Sequence, residues 1–257
     1  MVAKRSVTMH DVALAAGVSI KTVSNVINDW PYVTPETRQK VQSAIEEVGY
    51  RRNQTARSLV TGKTHTIGVI IPDVSNPFFG TAIRGCEDSL YESGYNLFLC
   101  NTNEDVERER YNLDLLVGRG VDALVLWGTR LCCEELSDLV GRDLPLVTVE
   151  VEEEPIRAKH TCIHVESVQG ANMATQHLIH QGYRRIGHLA GPRERITAQR
   201  RIQGYHHALR EAGIGPVPES VRAASPSIAG GYSSALDLLQ DIQPEALFCY
   251  NDLMAIG

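Results

Sequence analysis

Between Thr8 and Asn28 the apolar residues Val12, Ala13, Ala16, Val18, Val23 and Ile27 recur at a spacing that gathers them on one side of two short helices meeting at Gly17-Val18. Gly17 suits the left-handed turn through which two helices cross steeply. Ser19 is placed to cap the second helix. A third run follows, with Thr34 as N-cap, Pro35 at the first helical position and Glu36 in the first turn. Val41, Ala44, Ile45 and Val48 carry its apolar face, and Gly49 ends it. The pattern predicts a three-helix domain over 1–50. Residues 51–64 show no strong apolar face, although Ala56, Arg57, Ser58 and Leu59 are compatible with one short helix. Such a helix is marginal alone in water, so this stretch reads as a hinge that orders against a partner.

From Thr66 the pattern changes. Short apolar runs at Thr66–Pro72, Asn96–Asn101, Ala123–Trp127, Leu146–Val149, Cys162–Val165, Ile186–Ala190 and Ala246–Tyr250 predict strands. Helices are predicted from Asn76-Pro77 to Ser93 and at Glu107–Arg119, Val168–Gln181, Ala198–Ala212 and Gly231–Gln240. Short apolar strands alternating with helices argue for parallel sheets covered on both faces. The last residues, Asp252–Gly257, begin a helix that would leave a sheet edge uncovered, so the sequence reads as a fragment whose second half of the core is incomplete.

Charge sharpens this division. The net charge is −6, yet residues 1–65 hold nine Lys/Arg against five Asp/Glu, and the remainder holds sixteen against twenty-six. A basic headpiece on an acidic body suits DNA at one end and a different task at the other. On the second helix Ile20, Lys21, Thr22, Ser24, Asn25 and Asn28 lie on or beside the face opposite the apolar seam, behind the capping Ser19. A helix of this kind fits the DNA major groove, with its N-terminal side chains at base edges. Lys21 can donate to guanine O6 or N7, and Ile20 offers apolar contact to a thymine methyl. Thr22, Ser24 and Asn28 are better placed for phosphates.

No apolar stretch approaches a membrane span, and no secretory signal opens the chain, which places the protein in the cytoplasm. Cys86, Cys100, Cys132, Cys133, Cys162 and Cys249 form no C-x-x-C pair or zinc spacing and read as free, mostly buried thiols. His177 and His180 share a helix face without a carboxylate or cysteine to complete a metal set, and His206-His207 point apart. No phosphate-loop, nucleophile-elbow or zinc-protease motif occurs, so neither catalysis nor a metal or other cofactor is expected.

Seven motifs together are specific: Thr22-Val23-Ser24; Asn53 with Ala56-Arg57-Ser58-Leu59; Ile71-Pro72-Asp73-Val74-Ser75-Asn76-Pro77-Phe78-Phe79; Gly182-Tyr183-Arg184-Arg185-Ile186; Ala190-Gly191-Pro192; Arg201-Ile202-Gln203-Gly204-Tyr205; and Asn251-Asp252-Leu253-Met254-Ala255-Ile256-Gly257. In order and spacing they resemble the lac-repressor (LacI/GalR) family of bacterial transcription regulators over the whole chain. The resemblance implies an N-terminal all-α helix-turn-helix headpiece and a hinge helix. It also implies an α/β core like the periplasmic binding proteins, with two parallel-sheet subdomains (about 65–165 and 166–257), the second incomplete. It implies a homodimer on a near-palindromic double-stranded operator, and a small effector, a sugar or related metabolite, bound between the subdomains. Asn53 and Ala56 match hinge positions facing the minor groove, and Leu59 matches a leucine wedged into a base step.

Asp73, Asn76, Phe78, Phe79, Trp127, Glu150, Arg195, Thr197, Arg201 and Asn251 match effector-pocket positions of the family. Five residues depart from the family pattern. Asn25 stands where relatives commonly carry Arg, Glu150 where they carry Asp, Val165-Glu166 where they show Asp-Asn, and Pro226 near a frequent aromatic. The leading reading is an effector-controlled repressor. The alternatives are a truncated regulator with a DNA-binding headpiece and no competent effector site, and a cytoplasmic small-solute-binding protein.

Overall fold

Helix α1 (Met9–Ala16) opens on Thr8, whose N–H and hydroxyl both donate to Asp11 Oδ2 at 2.8 Å. It closes on Gly17 in the left-handed conformation, φ 62°. Helix α2 (Ile20–Ile27) starts at Ser19, and helix α3 (Pro35–Val48) starts at Thr34, whose hydroxyl accepts from Thr37 N–H at 3.3 Å. The three helices bury one small core of Val12, Ala13, Ala16, Val23, Val26, Val41 and Ala44. Val26 takes the central place expected of Ile27, which with Val18 is half-buried at its edge. The computed structural model describes residues 7–51, 58, 61–140, 143–151, 160–215 and 217–257, without the side chains of Cys133 and Pro218. It divides the chain into two units, Met1–Gly62 and Lys63–Gly257. Asn53, Ala56 and Leu59, the expected hinge contacts, lie outside the described residues.

In the second unit β1 (Thr66–Ile71), α4 (Pro77–Glu92), β2 (Asn96–Asn101), α5 (Val106–Gly118), β3 (Ala123–Trp127), α6 (Cys133–Val140), β4 (Leu146–Val149) and β5 (His160–Ile163) follow one another. They build a wholly parallel sheet of order β2-β1-β3-β4-β5. Next come α7 (Ser167–His180), β6 (Ile186–Ala190), α8 (Ile196–Glu211), β7 (Val221–Ala223), α9 (Ile228–Asp241), β8 (Ala246–Cys249) and α10 (Asp252–Ile256). Their strands form a second parallel sheet, β7-β6-β8. Parallel strands need helical crossovers, which cover the sheets, so central strands are buried and largely apolar, with His188 of β6 an exception. All five residues of β6 are buried, and Leu113, Leu116, Leu124, Leu126 and Leu146 fill the first core.

Four expectations change. Helix α6 and strand β7 were not anticipated. Strand β5 begins two residues before the expected Cys162, because His160 pairs with Leu146 and is buried with its Nε2 2.9 Å from Thr148 Oγ1. Among the five cysteines whose side chains are described, only Cys100 is buried, and Cys132 is exposed, so "mostly buried" does not hold for the thiols. Cys86 sits on α4, Cys132 in the loop before α6, and Cys162 and Cys249 on strands, each at least partly open to solvent.

The fold also places the ligand side. In open parallel sheets, loops at the carboxyl ends of strands diverge where the strand order reverses, leaving a crevice there. The first sheet reverses at β1, between β2 and β3, and the second at β6, between β7 and β8.

Candidate functional site

On the headpiece, Ser19 Oγ accepts from Thr22 N–H at 3.1 Å and lies 2.9 Å from Thr22 Oγ1. This fixes the start of α2. Ile20 is 47% exposed, and Ser19, Lys21 and Asn28 are exposed with it. Thr22, Ser24 and Asn25 are half-buried, and Asn28 Nδ2 donates to Ser24 Oγ at 3.4 Å. The start of α2 therefore presents one aliphatic and one cationic side chain to solvent, while Val23 and Val26 anchor its other face.

In the second unit a cavity of about 720 Å³ lies at the carboxyl ends of both sheets. All ten residues expected for the effector line it. They arrive on separate connections: Asp73 after β1, Asn76, Phe78 and Phe79 at the start of α4, Trp127 at the end of β3 and Glu150 after β4. From the second sheet come Arg195, Thr197 and Arg201 around the start of α8, and Asn251 after β8. Asn76 caps α4 by accepting from Phe78 N–H at 3.0 Å, which turns the two phenylalanines toward Trp127. Phe78, Phe79 and Trp127 meet edge to face, with centroids 5.2 to 6.1 Å apart. This is a favourable aromatic arrangement that leaves ring surface for an apolar ligand face.

Opposite this wall the arginines are held by the protein itself. Arg195 Nε donates to Glu104 Oε2 at 3.0 Å, its Nη2 donates to the same oxygen and its Nη1 to Gly128 O. Arg201 Nη1 donates to Tyr250 O, and its guanidinium sits 4.5 Å over the Tyr250 ring, a cation–π contact. Thr197 Oγ1 lies 2.8 Å from Tyr250 OH. Asn251 is doubly occupied: Oδ1 accepts from Met254 N–H at 2.9 Å, and Nδ2 donates to Pro226 O at 3.0 Å.

Acceptors remain. Asp73 uses Oδ1 for Ser75 N–H and Oγ, leaving Oδ2 with no partner among the described residues. Glu150 is held in the left-handed region at φ 58°. Burial pushes its carboxyl up, against the pull of Arg201, Arg200 and Arg195.

Glu104, Arg130, Glu109 and Tyr250 were not foreseen. Glu109 is buried on α5, accepts from Arg130 N–H at 3.2 Å and so steadies the loop after β3; burial pushes its carboxyl up. Glu104 and Arg130 lie just beyond strand ends, where such sheets carry their ligand loops, and that position was the available signal. Among the described residues, no group of three or more His, Cys, Asp or Glu is placed to hold a metal ion, and no helix is long and apolar enough to cross a membrane.

Two family models match the chain. Residues 64–257 fit "Periplasmic binding proteins and sugar binding domain of LacI family", and residues 8–53 fit "Bacterial regulatory proteins, lacI family". The chain belongs to the lacI family. Among curated lacI-family relatives, the ribose operon repressor of Escherichia coli (strain K12) is 38% identical over 97% of this chain and 76% of its own length. The transcriptional repressor PurR of Pasteurella multocida (strain Pm70) is 37% identical over 97% of this chain and 75% of its own. The lac repressor dimer bound to operator and the anti-inducer ONPF matches with a TM-score of 0.86, at 26% identity, over 98% of this chain and 76% of that one. A LacI family regulator from Enterococcus faecium with bound ribose matches with a TM-score of 0.65, at 28% identity, over 75% and 69% of the two chains. As a lacI-family protein the chain is a DNA-binding transcriptional regulator.

Proposed function

We propose that the cavity between the two parallel sheets holds a small polyhydroxy effector, and that its occupancy controls how a homodimer of this repressor grips a near-palindromic operator. The observation that carries the reading is convergence: residues from five separate connections bring an aromatic wall and a polar wall to one cavity of about 720 Å³. That size and this mixture of ring faces with few oriented polar groups suit a sugar-sized ligand. Ser19, Ile20, Lys21, Thr22, Ser24, Asn25 and Asn28 read the operator, with Asn53, Ala56 and Leu59 of the hinge. Residues 1–50 act as headpiece, 51–64 as hinge and 65–257 as the effector-binding and dimerising core. The protein is not an enzyme, and it works in the cytoplasm, where its DNA is.

Melting curves with a panel of aldopentoses and aldohexoses, D-ribose among them, test the cavity. A ligand at about 100 times its Kd raises unfolding free energy by about 2.7 kcal/mol. At least one sugar is expected to raise the melting temperature of the wild type, and Trp127→Ala and Arg201→Ala are each expected to weaken it tenfold or more. A sugar that binds both variants as well as the wild type would remove the cavity from the account.

A further inference from the structure

Six carboxylates (Asp73, Glu104, Glu150, Glu166, Glu194 and Asp252) and three arginines line the cavity. An arginine facing a ligand space ordinarily recruits anions, since its fork matches carboxylate and phosphate oxygens. Here each guanidinium makes at least one contact within the protein, and Arg195 is the most fully engaged. Arg195, whose side chain is 11% exposed, spends all three nitrogens on Glu104 and Gly128. Arg130 Nη1 donates to the carbonyl oxygen of Glu104 at 3.2 Å, and Arg201 is committed to Tyr250. Glu104 is central to two of these three. Its own position is demanding, because it holds the left-handed conformation at φ 62° while its N–H donates to Pro72 O at 3.2 Å. A glutamate is an unfavourable occupant of that backbone region, so some property of the side chain offsets the cost.

We propose that Glu104 is a specificity-determining residue: by occupying Arg195 across the cavity it screens the cation that faces the ligand and makes the site reject anions. With six carboxylates against three arginines on the lining, and with Asp73 Oδ2 and the Glu150 carboxyl among the acceptors left to a ligand, the site favours the hydroxyl donors of an uncharged polyol over a phosphorylated or carboxylated derivative. The assignment rests on the cavity being the effector site, but its test does not require the effector to be known.

Inorganic phosphate is the probe, titrated by calorimetry into the full chain, with melting curves as the folding control. Wild type is expected to show no saturable binding. Glu104→Gln leaves the charge of Arg195 without its carboxylate counter-charge and is expected to bind phosphate at least on the order of tenfold more tightly than wild type. Glu104→Gly removes the same carboxylate and suits the backbone conformation, so it gives a folded variant with the same expectation. Adding Arg195→Gln to either is expected to abolish the gain. Phosphate bound equally by wild type and both Glu104 variants would overturn the assignment, and so would a gain that survives loss of Arg195. A wild type that binds no sugar beside a Glu104→Gln that gains phosphate supports the screening role and counts against the sugar reading alone.

Discussion

At the scale of single residues, the buried polar groups carry the clearest consequences. His188 lies fully buried in β6, stacked on Phe248 at 4.5 Å, with Nδ1 2.8 Å from Phe248 O and Nε2 without a partner among the described residues. Burial holds its pKa down to about 4. The unfolded chain therefore takes up a proton at a higher pH than the folded one, and stability is lost as pH falls from about 6.5 towards 4. The loss amounts to about 3 kcal/mol across that window. Denaturant unfolding is expected to show the decline beginning near pH 6.5 and to lose most of that limb in His188→Asn, with a smaller part left to His206, whose pKa burial also lowers. A flat profile down to pH 5 would contradict it. Lys21 sits exposed at the start of α2. Lys21→Ala is expected to relax preference at one base pair per half-site, at about 1–3 kcal/mol. Unchanged preference in sequences selected by the variant would take Lys21 out of base reading.

At the scale of elements, α7 and α8 pack closely because Gly204 lets them. A Cβ at Gly204 would overlap the carbonyl oxygen of Val168 and lie 2.8 Å from Ala171 Cβ. Gly204→Ala is expected to destabilise the second unit by about 1–3 kcal/mol, as overpacking does, and to separate its unfolding from that of the headpiece in calorimetry. A melting temperature equal to wild type would show that the helices part freely.

Elements were legible in the sequence where period and punctuation agreed. Strands β2, β3, β4 and β6 fall at the expected residues, and the Thr34-Pro35 and Asn76-Pro77 starts cap their helices as read. Helix α6 carries Leu136, Leu139 and Val140 at helical spacing, but its eight residues hold only that one turn of apolar face, too short a run to read as a helix in the sequence. Strand β7 is only three residues long, too short to show a period. Strand β5 was set late because His160 looks like a loop residue until its pairing partner is known, whereas Val165, expected inside the strand, is 49% exposed. Of the cavity, motif matching could supply Arg195 but not Glu104, since their pairing joins residues 91 positions apart and appears only when the two sheets face each other.

At the scale of the whole molecule, two tasks sit on two units of opposite charge: a basic three-helix headpiece and an acidic double-sheet core. The charge split favours DNA at the headpiece, because phosphate contacts supply most non-specific affinity and make binding steeply salt-dependent. In the proposed reading, base contacts by α2 and the pairing of two headpieces add sequence selectivity and symmetry. The aromatic and arginine walls of the core line the cavity proposed above as the effector site.

The most direct test is selection of duplexes from a random pool by the 257-residue chain at two salt concentrations, followed by sequencing. A near-palindromic site whose affinity falls steeply with salt is the result this account predicts. Binding that depends on salt but ignores sequence would contradict it.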